Sequence, residues 1–258
     1  MSEQIIDSKQ GHWILAKMGK KVLRPGGKEL TQKLIDNLNI TNADDIVEFA
    51  PGLGFTANIA LQKNPKSYTG VDLNKDAVAF LEKKITGKNR KVVVGNASNS
   101  NLDSECANKV YGEAMLTMQA DHRKSDIIKE AYRLLKKDGY YGIHELGLTP
   151  NTIDENLKAD IQKQLANVIK VNARPLTVEE WENLLKKEGF SIVSIETNPM
   201  LLLEPSRVID DEGFFRTLKI MFNIITHPNE RKRILAMRKT FKKYKNHLNA
   251  VAIIAKKN

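Results

Sequence analysis

Ile46-Val47-Glu48-Phe49-Ala50-Pro51-Gly52-Leu53-Gly54-Phe55-Thr56-Ala57 decides how this chain folds. A short apolar run ends in an acid, passes a tight glycine turn and enters a helix-forming stretch. Glycines at 52 and 54 remove Cβ atoms where a backbone must turn sharply and approach a ligand closely. The helix that follows points its first amide groups back toward that ligand. The pattern predicts a strand–turn–helix unit that holds a nucleoside-containing cofactor.

Two cofactor classes use this unit. In the dinucleotide class, G-x-G-x-x-G/A is followed about 20 residues later by an acid. Gly52-Leu53-Gly54-Phe55-Thr56-Ala57 fits it, and Asp72 ends the next strand candidate, Tyr68-Thr69-Gly70-Val71-Asp72. Glu48 favours the other class. An acid just before the turn would repel a pyrophosphate but suits a cofactor with a cationic amino-acid end.

On these residues the chain resembles the class I S-adenosylmethionine-dependent methyltransferases. Their first motif, acidic-x-Gly-x-Gly-x-Gly, stands here as Glu48-Phe49-Ala50-Pro51-Gly52-Leu53-Gly54, with Ala50 in place of the first glycine. Their ribose-binding acid matches Asp72, whose two oxygens suit a vicinal diol. Their third motif, Gly-Asp-Ala, reads Gly95-Asn96-Ala97, so an amide replaces the carboxylate beside adenine. Tyr111 to Leu116 resembles the end of the fourth strand, and Glu130 to Tyr141 the helix–Gly–strand passage that follows. The resemblance spans residues 45–146 and implies S-adenosyl-L-methionine as cofactor. Glu48, Gly52 and Gly54 would hold its methionine end, with Ala50 and Pro51 lining the turn. Asp72 with Leu73 would take the ribose, Asn96 with Ala97 the adenine, and Glu113 a further contact.

Composition sets the class. At 258 residues the chain can bury a full core, and its 41% hydrophobic and 28% charged content is ordinary for a globular protein. Cys106 is the single cysteine, which excludes an internal disulfide and a cysteine-based metal site. Met1 to Asp7 lacks the pattern of a signal peptide, and no apolar run reaches the length of a bilayer span. A cytoplasmic protein without an integral membrane segment is the expectation. The net charge of +10 is lopsided: residues 216–258 carry +11, leaving −1 for the rest.

Along the chain, residues 11–23 read as an amphipathic helix, broken at Leu23-Arg24-Pro25-Gly26-Gly27 and resumed over 28–38. Strands are predicted near 45–50, 67–72, 91–95, 109–113 and 140–146, and helices near 55–64, 75–86 and 123–136. This alternation implies an α/β fold with helices on both faces of a parallel sheet. Beyond 147, helices are expected at 156–171, 178–187, 208–226 and 229–245, and strands at 190–196 and 249–255. The capping box Thr177-Val178-Glu179-Glu180 opens the second of these helices. With the resemblance, the expected architecture is a doubly wound, mostly parallel seven-stranded sheet. It has an antiparallel edge strand and N-terminal and C-terminal helical inserts. Residues 1–40 would form a helical cap and 41–258 the methyltransferase domain, with inserts 147–176 and 198–248 as a substrate lid.

Methyl transfer from a sulfonium is an in-line displacement that chiefly needs alignment and exclusion of water. A hydroxyl or ammonium acceptor also needs a base. Glu113, His144 and Glu145 end strands on the cofactor side and are the candidates. Glu113 has the alternative of capping a loop. His144 and Glu145 alternate, so at most one faces the cleft. His122 reads most simply as a solvated helix start. No Asn/Asp-Pro-Pro-Tyr/Phe stretch follows the fourth strand, and no Pro-Cys nucleophile is present, which leaves small-molecule methylation as the leading reading.

The basic C-terminal section admits several readings: a lid over an apolar or anionic substrate, a peripheral membrane contact, a nucleic-acid grip, or plain packing. Packing combined with a lid is preferred, because aromatics for base stacking are few there. The rival functions are an RNA-binding protein or RNA methyltransferase, and a nicotinamide-dependent oxidoreductase. The sequence leaves the methyl acceptor and the oligomeric state open.

Overall fold

The computed structural model describes residues 10–258. The stretch read against a signal peptide, and the first nine residues of the expected cap, lie outside them. Strands β1 (Asp45–Phe49), β2 (Ser67–Asp72), β3 (Arg90–Val94), β4 (Ala107–Glu113) and β5 (Leu135–Leu148) form the parallel part of one sheet. A two-residue strand, β6 (Leu176–Thr177), pairs with the end of β5. Strand β7 (Phe190–Pro199) is the far edge, and β8 (Leu248–Lys257) runs antiparallel between β5 and β7. The order is β3-β2-β1-β4-β5-β8-β7. The expected antiparallel pair is present at that edge, with the reversed strand one place in from it. The short β6 makes an eighth strand that the sequence did not announce.

Strand alternation sorts the side chains into two cores. On β8, Val251, Ile253 and Ala255 face one way and Ala250, Ala252 and Ile254 the other, and all six are buried. A sheet covered on both faces accounts for this unbroken apolar run. One core takes helices α2 (Gly27–Leu38), α3 (Phe55–Leu61) and α4 (Lys75–Glu82). The opposite core takes α5 (Asp121–Leu134) and α7 (Val178–Lys187), the latter through Trp181 and Leu185. The Thr177–Glu180 capping box is formed as read from sequence.

A third core covers the carboxyl end of β5. Leu146 and Leu148 there meet α1 (Gly11–Lys17), α6 (Glu155–Ile169), α9 (Phe214–Thr226) and α10 (Pro228–Lys243). The single helix expected over 208–226 is two, α8 (Pro205–Glu212) and α9. Gly213 separates them with φ +79°, which a glycine adopts without a Cβ clash. The first helix stops at Lys17 rather than 23, because Gly19 turns the chain at φ +103°.

Candidate active site

Loops at the carboxyl ends of β1, β2, β3 and β4 enclose a cleft of about 540 Å³. Ala50, Pro51, Gly52, Asp72, Leu73, Asn96, Ala97 and Glu113 all line it, so most of the expected cofactor residues come together. The turn after β1 is left-handed at Ala50, Gly52 and Gly54, with φ of 52°, 57° and 78°. Ala50 therefore carries a Cβ in a backbone region that costs about 1 kcal/mol. Gly54 lies behind the turn, and a Cβ on it would stand 2.5 Å from Leu81 Cδ2, so it fits α4 against the turn rather than lining the cleft.

Asp72 ties the loops together. Its Oδ2 accepts the Gly52 N–H at 3.0 Å and its Oδ1 the Asn74 N–H at 2.9 Å. Burial pushes its carboxyl above the ordinary value, opposed by those two backbone donors. Asn96 turns its carbonyl oxygen inward to the Ser98 N–H and hydroxyl, at 3.1 and 3.0 Å. That oxygen is thus engaged within its own loop, instead of standing ready for an adenine amino group as the sequence suggested.

Glu48 is the main correction. It lines no part of the cleft. It is 4% exposed beneath the sheet face, where Tyr68 and Tyr111 donate their hydroxyls to Oε2 at 2.7 and 3.0 Å. Strand register explains the placement: Gly70 of β2 and Tyr111 of β4 sit on either side of Glu48. A Cβ on Gly70 would come within 3.0 Å of the Tyr68 hydroxyl, so the glycine leaves room for that phenol. Burial raises the Glu48 carboxyl to about 7, beyond what its tyrosine partners hold down.

The charged wall of the cleft is built on Glu113 instead. It accepts hydrogen bonds from Thr31 at 2.8 Å and from Thr56, and pairs with Arg24 at 2.8 Å and with His144 Nδ1 at 2.7 Å. Burial pushes its carboxyl up, but Arg24, His144 and Thr56 outweigh that and hold it near about 2. Glu113 is therefore ionised and fully engaged, which removes it as a proton acceptor. His144 is completely buried between Glu113 and the Pro25 carbonyl. Glu145 points to the opposite face and accepts the N–H groups of Met115, Leu116 and Thr117 and the Thr117 hydroxyl. Neither His144 nor Glu145 reaches the cleft, so none of the three base candidates keeps that role. His122 is exposed at the start of α5, as read.

Two cleft residues escaped the sequence reading. Arg24 had been only part of a helix break. Its guanidinium lies 5.2 Å from the Phe55 ring, bonds Thr56 and Glu113, and leaves Nε buried with no partner among the described residues. His12 stands between the cleft and a second, apolar chamber of about 80 Å³. Leu146, Leu165, Ile169, Met200, Met237 and Phe241 surround that chamber. His12, Leu23, Ala114, Met118 and Val171 line both spaces. Desolvation lowers the His12 imidazole to about 4, so it is neutral at pH 7. Its ring lies 5.1 Å from that of Trp13 at a tilt of 44°, and it makes no hydrogen bond among the described residues.

Residues 47–143 match the family described as a methyltransferase domain. That domain is the one of a Rossmann-like S-adenosylmethionine-dependent methyltransferase. The cofactor is S-adenosyl-L-methionine, and the nicotinamide alternative falls away. The methyltransferase is 35% identical to an uncharacterized protein of Haemophilus influenzae, over 96% of this chain and 98% of that one. It is 29% identical to a ribosomal RNA small subunit methyltransferase A of Hydrogenobaculum, over 43% of this chain and 46% of the other. Its fold matches the Haemonchus contortus phosphoethanolamine N-methyltransferase 2 in complex with S-adenosyl-L-methionine. There the TM-score is 0.73 and the identity 17%, over 97% of this chain and 57% of that one. At that identity the likeness concerns the fold.

Proposed function

We propose that this methyltransferase acts on a small molecule with an apolar body, held in the second chamber with its acceptor atom beside His12. One observation carries the reading: an apolar chamber adjoins the cofactor cleft and shares five wall residues with it. When bound, S-adenosylmethionine supplies a methyl group on a sulfonium, open to in-line displacement. Arg24, whose Nε has no partner among the described residues, suits the cofactor's carboxylate. Asp72 faces the cleft with acceptor capacity left for a diol, and Gly52 leaves the turn open for close approach. Leu73 and Ala97 add apolar wall toward the base.

His12 has the properties required beside the acceptor. It is neutral and makes no hydrogen bond among the described residues; burial makes it a weak base, so it can take a proton from a hydroxyl acceptor once the forming O–CH3 bond has made that proton strongly acidic. Its apolar surroundings keep water from competing with the acceptor. The inserts 147–176 and 198–248, with the described part of the 1–40 cap, act as the lid in this reading, since these three stretches together supply most of the chamber wall.

Titration calorimetry with S-adenosylhomocysteine, combined with turnover on a panel of phenols, carboxylic acids and amines of graded apolar size, tests the reading. Wild type and His12→Gln bind the cofactor product alike, whereas Asp72→Ala loses measurable affinity. His12→Gln lowers kcat on the preferred acceptor about 100-fold. Turnover confined to hydrophilic acceptors, or undiminished in His12→Gln, would refute the assignment of acceptor and base.

A further inference from the structure

Helix α9 has two apolar sides. Thr217 and Ile220 are buried, and Ile220 packs in the core with Ile14, Leu15 and Met18. Phe214, Phe215, Leu218, Met221, Phe222 and Ile225 are exposed. At 100° per residue these six fall on one stripe turned away from the buried side. Phe215 is 86% and Phe222 65% exposed, and six of the eleven exposed large apolar side chains among the described residues lie on this helix. Isolated apolar residues on a surface need no explanation, but a contiguous stripe does.

The charge on α9 and α10 selects the partner of this stripe. Lys219 borders it on α9. The face of α10 opposite its buried row, Ile234, Met237 and Phe241, carries Arg231, Lys232, Lys239 and Lys242, with the exposed Leu235 among them. The one acid from residue 216 onward, Glu230, is engaged by Lys17 at 2.9 Å. A second copy would bring the same positive field to the contact. RNA would find cations but little use for a row of exposed leucine, methionine and isoleucine. An anionic lipid surface satisfies both features at once: acyl chains take the apolar stripe and headgroups take the lysines. No described helix is long and apolar enough to cross a membrane, and a helix lying in the interface does not need to be.

We propose that α9, with the basic face of α10, docks this enzyme on anionic lipid bilayers. The inference stands apart from the acceptor reading, because it uses the outer faces of these helices and not the chamber. Flotation of the full-length protein with vesicles of phosphatidylcholine alone, or mixed with phosphatidylglycerol, tests it. Binding is expected only to the mixed vesicles and weakens as salt rises. Phe215→Asp with Phe222→Asp, and separately Lys232→Glu with Lys239→Glu, each lower binding about tenfold or more. S-adenosylhomocysteine affinity stays unchanged in both variants, which shows that they are folded. Equal binding to neutral vesicles, or binding to neither, overturns the proposal. So does a dimer in sedimentation velocity that Phe215→Asp dissociates, or RNA binding that the lysine variant abolishes while vesicles go unbound.

Discussion

At the scale of single residues, Glu48 shows how a motif can keep its letter and change its work. The acid before the glycine turn is held by two tyrosine hydroxyls from neighbouring strands, not by a ligand. Burial raises its carboxyl from 4.5 to about 7. The folded state then binds a proton that the unfolded chain releases, so this residue's contribution is full below pH 4.5 and is lost as pH rises through 7. Wild type should lose about 3 kcal/mol of stability across that window, and Glu48→Gln should flatten the loss. Urea unfolding at a series of pH values measures it; parallel curves for the two proteins would show that Glu48 is ionised throughout. The letter pattern alone revealed the acid and the turn, because both belong to one short run. It did not reveal Tyr68 and Tyr111, because their approach to Glu48 depends on strand register. Arg24 and His12 were hidden for a related reason: they reach the cleft from a segment upstream of every recognisable motif.

At the scale of elements, α8 acts as a fastener between the two ends of the chain. Taken as whole residues its members are half-buried or exposed, yet the acidic side chains of its last turn are tightly engaged. Lys20 Nζ lies 3.4 Å from Asp211 and 3.7 Å from Glu212, with all three side chains at most 2% exposed. Asp211 also accepts the Lys28 N–H at 2.8 Å, and Glu212 the N–H groups of Lys21 and Val22 at 2.7 and 2.9 Å. Desolvation lowers the Lys20 pKa, while its two acidic partners raise it. Removing one member of such a cluster leaves buried charge uncompensated. Lys20→Met should therefore destabilise by about 3 kcal/mol, and adding Asp211→Asn with Glu212→Gln should recover part of that. A loss below about 0.5 kcal/mol by chemical denaturation would mean that the cluster is open to water. Helix and strand positions were legible wherever period and punctuation agreed, as at Thr177-Val178-Glu179-Glu180. Gly213 was overlooked because one glycine inside an apolar helical pattern is often tolerated. The fastener was not legible, since Lys20 and Asp211 are paired across 191 positions.

At the scale of the molecule, a rigid sheet carries a lighter superstructure. Nearly every residue of β8 is buried on both faces, whereas α9 buries Thr217 and Ile220 alone. Hydrogen exchange should follow that contrast: amides of β1, β4, β5 and β8 exchange only with global unfolding, and those of α8 and α9 through local opening. Equal protection in α9 and β8 would contradict it. The positions of the strands along the chain were readable from alternation with helices, but the space above them was not, because its wall is drawn from six stretches distant in sequence. That dispersed ceiling has an evolutionary consequence. No rung of the strand ladder depends on what Leu165, Met200 or Met237 happens to be. Drift at such positions can retune what is admitted while the catalytic floor is inherited intact, so kindred enzymes with the same sheet are free to diverge in diet.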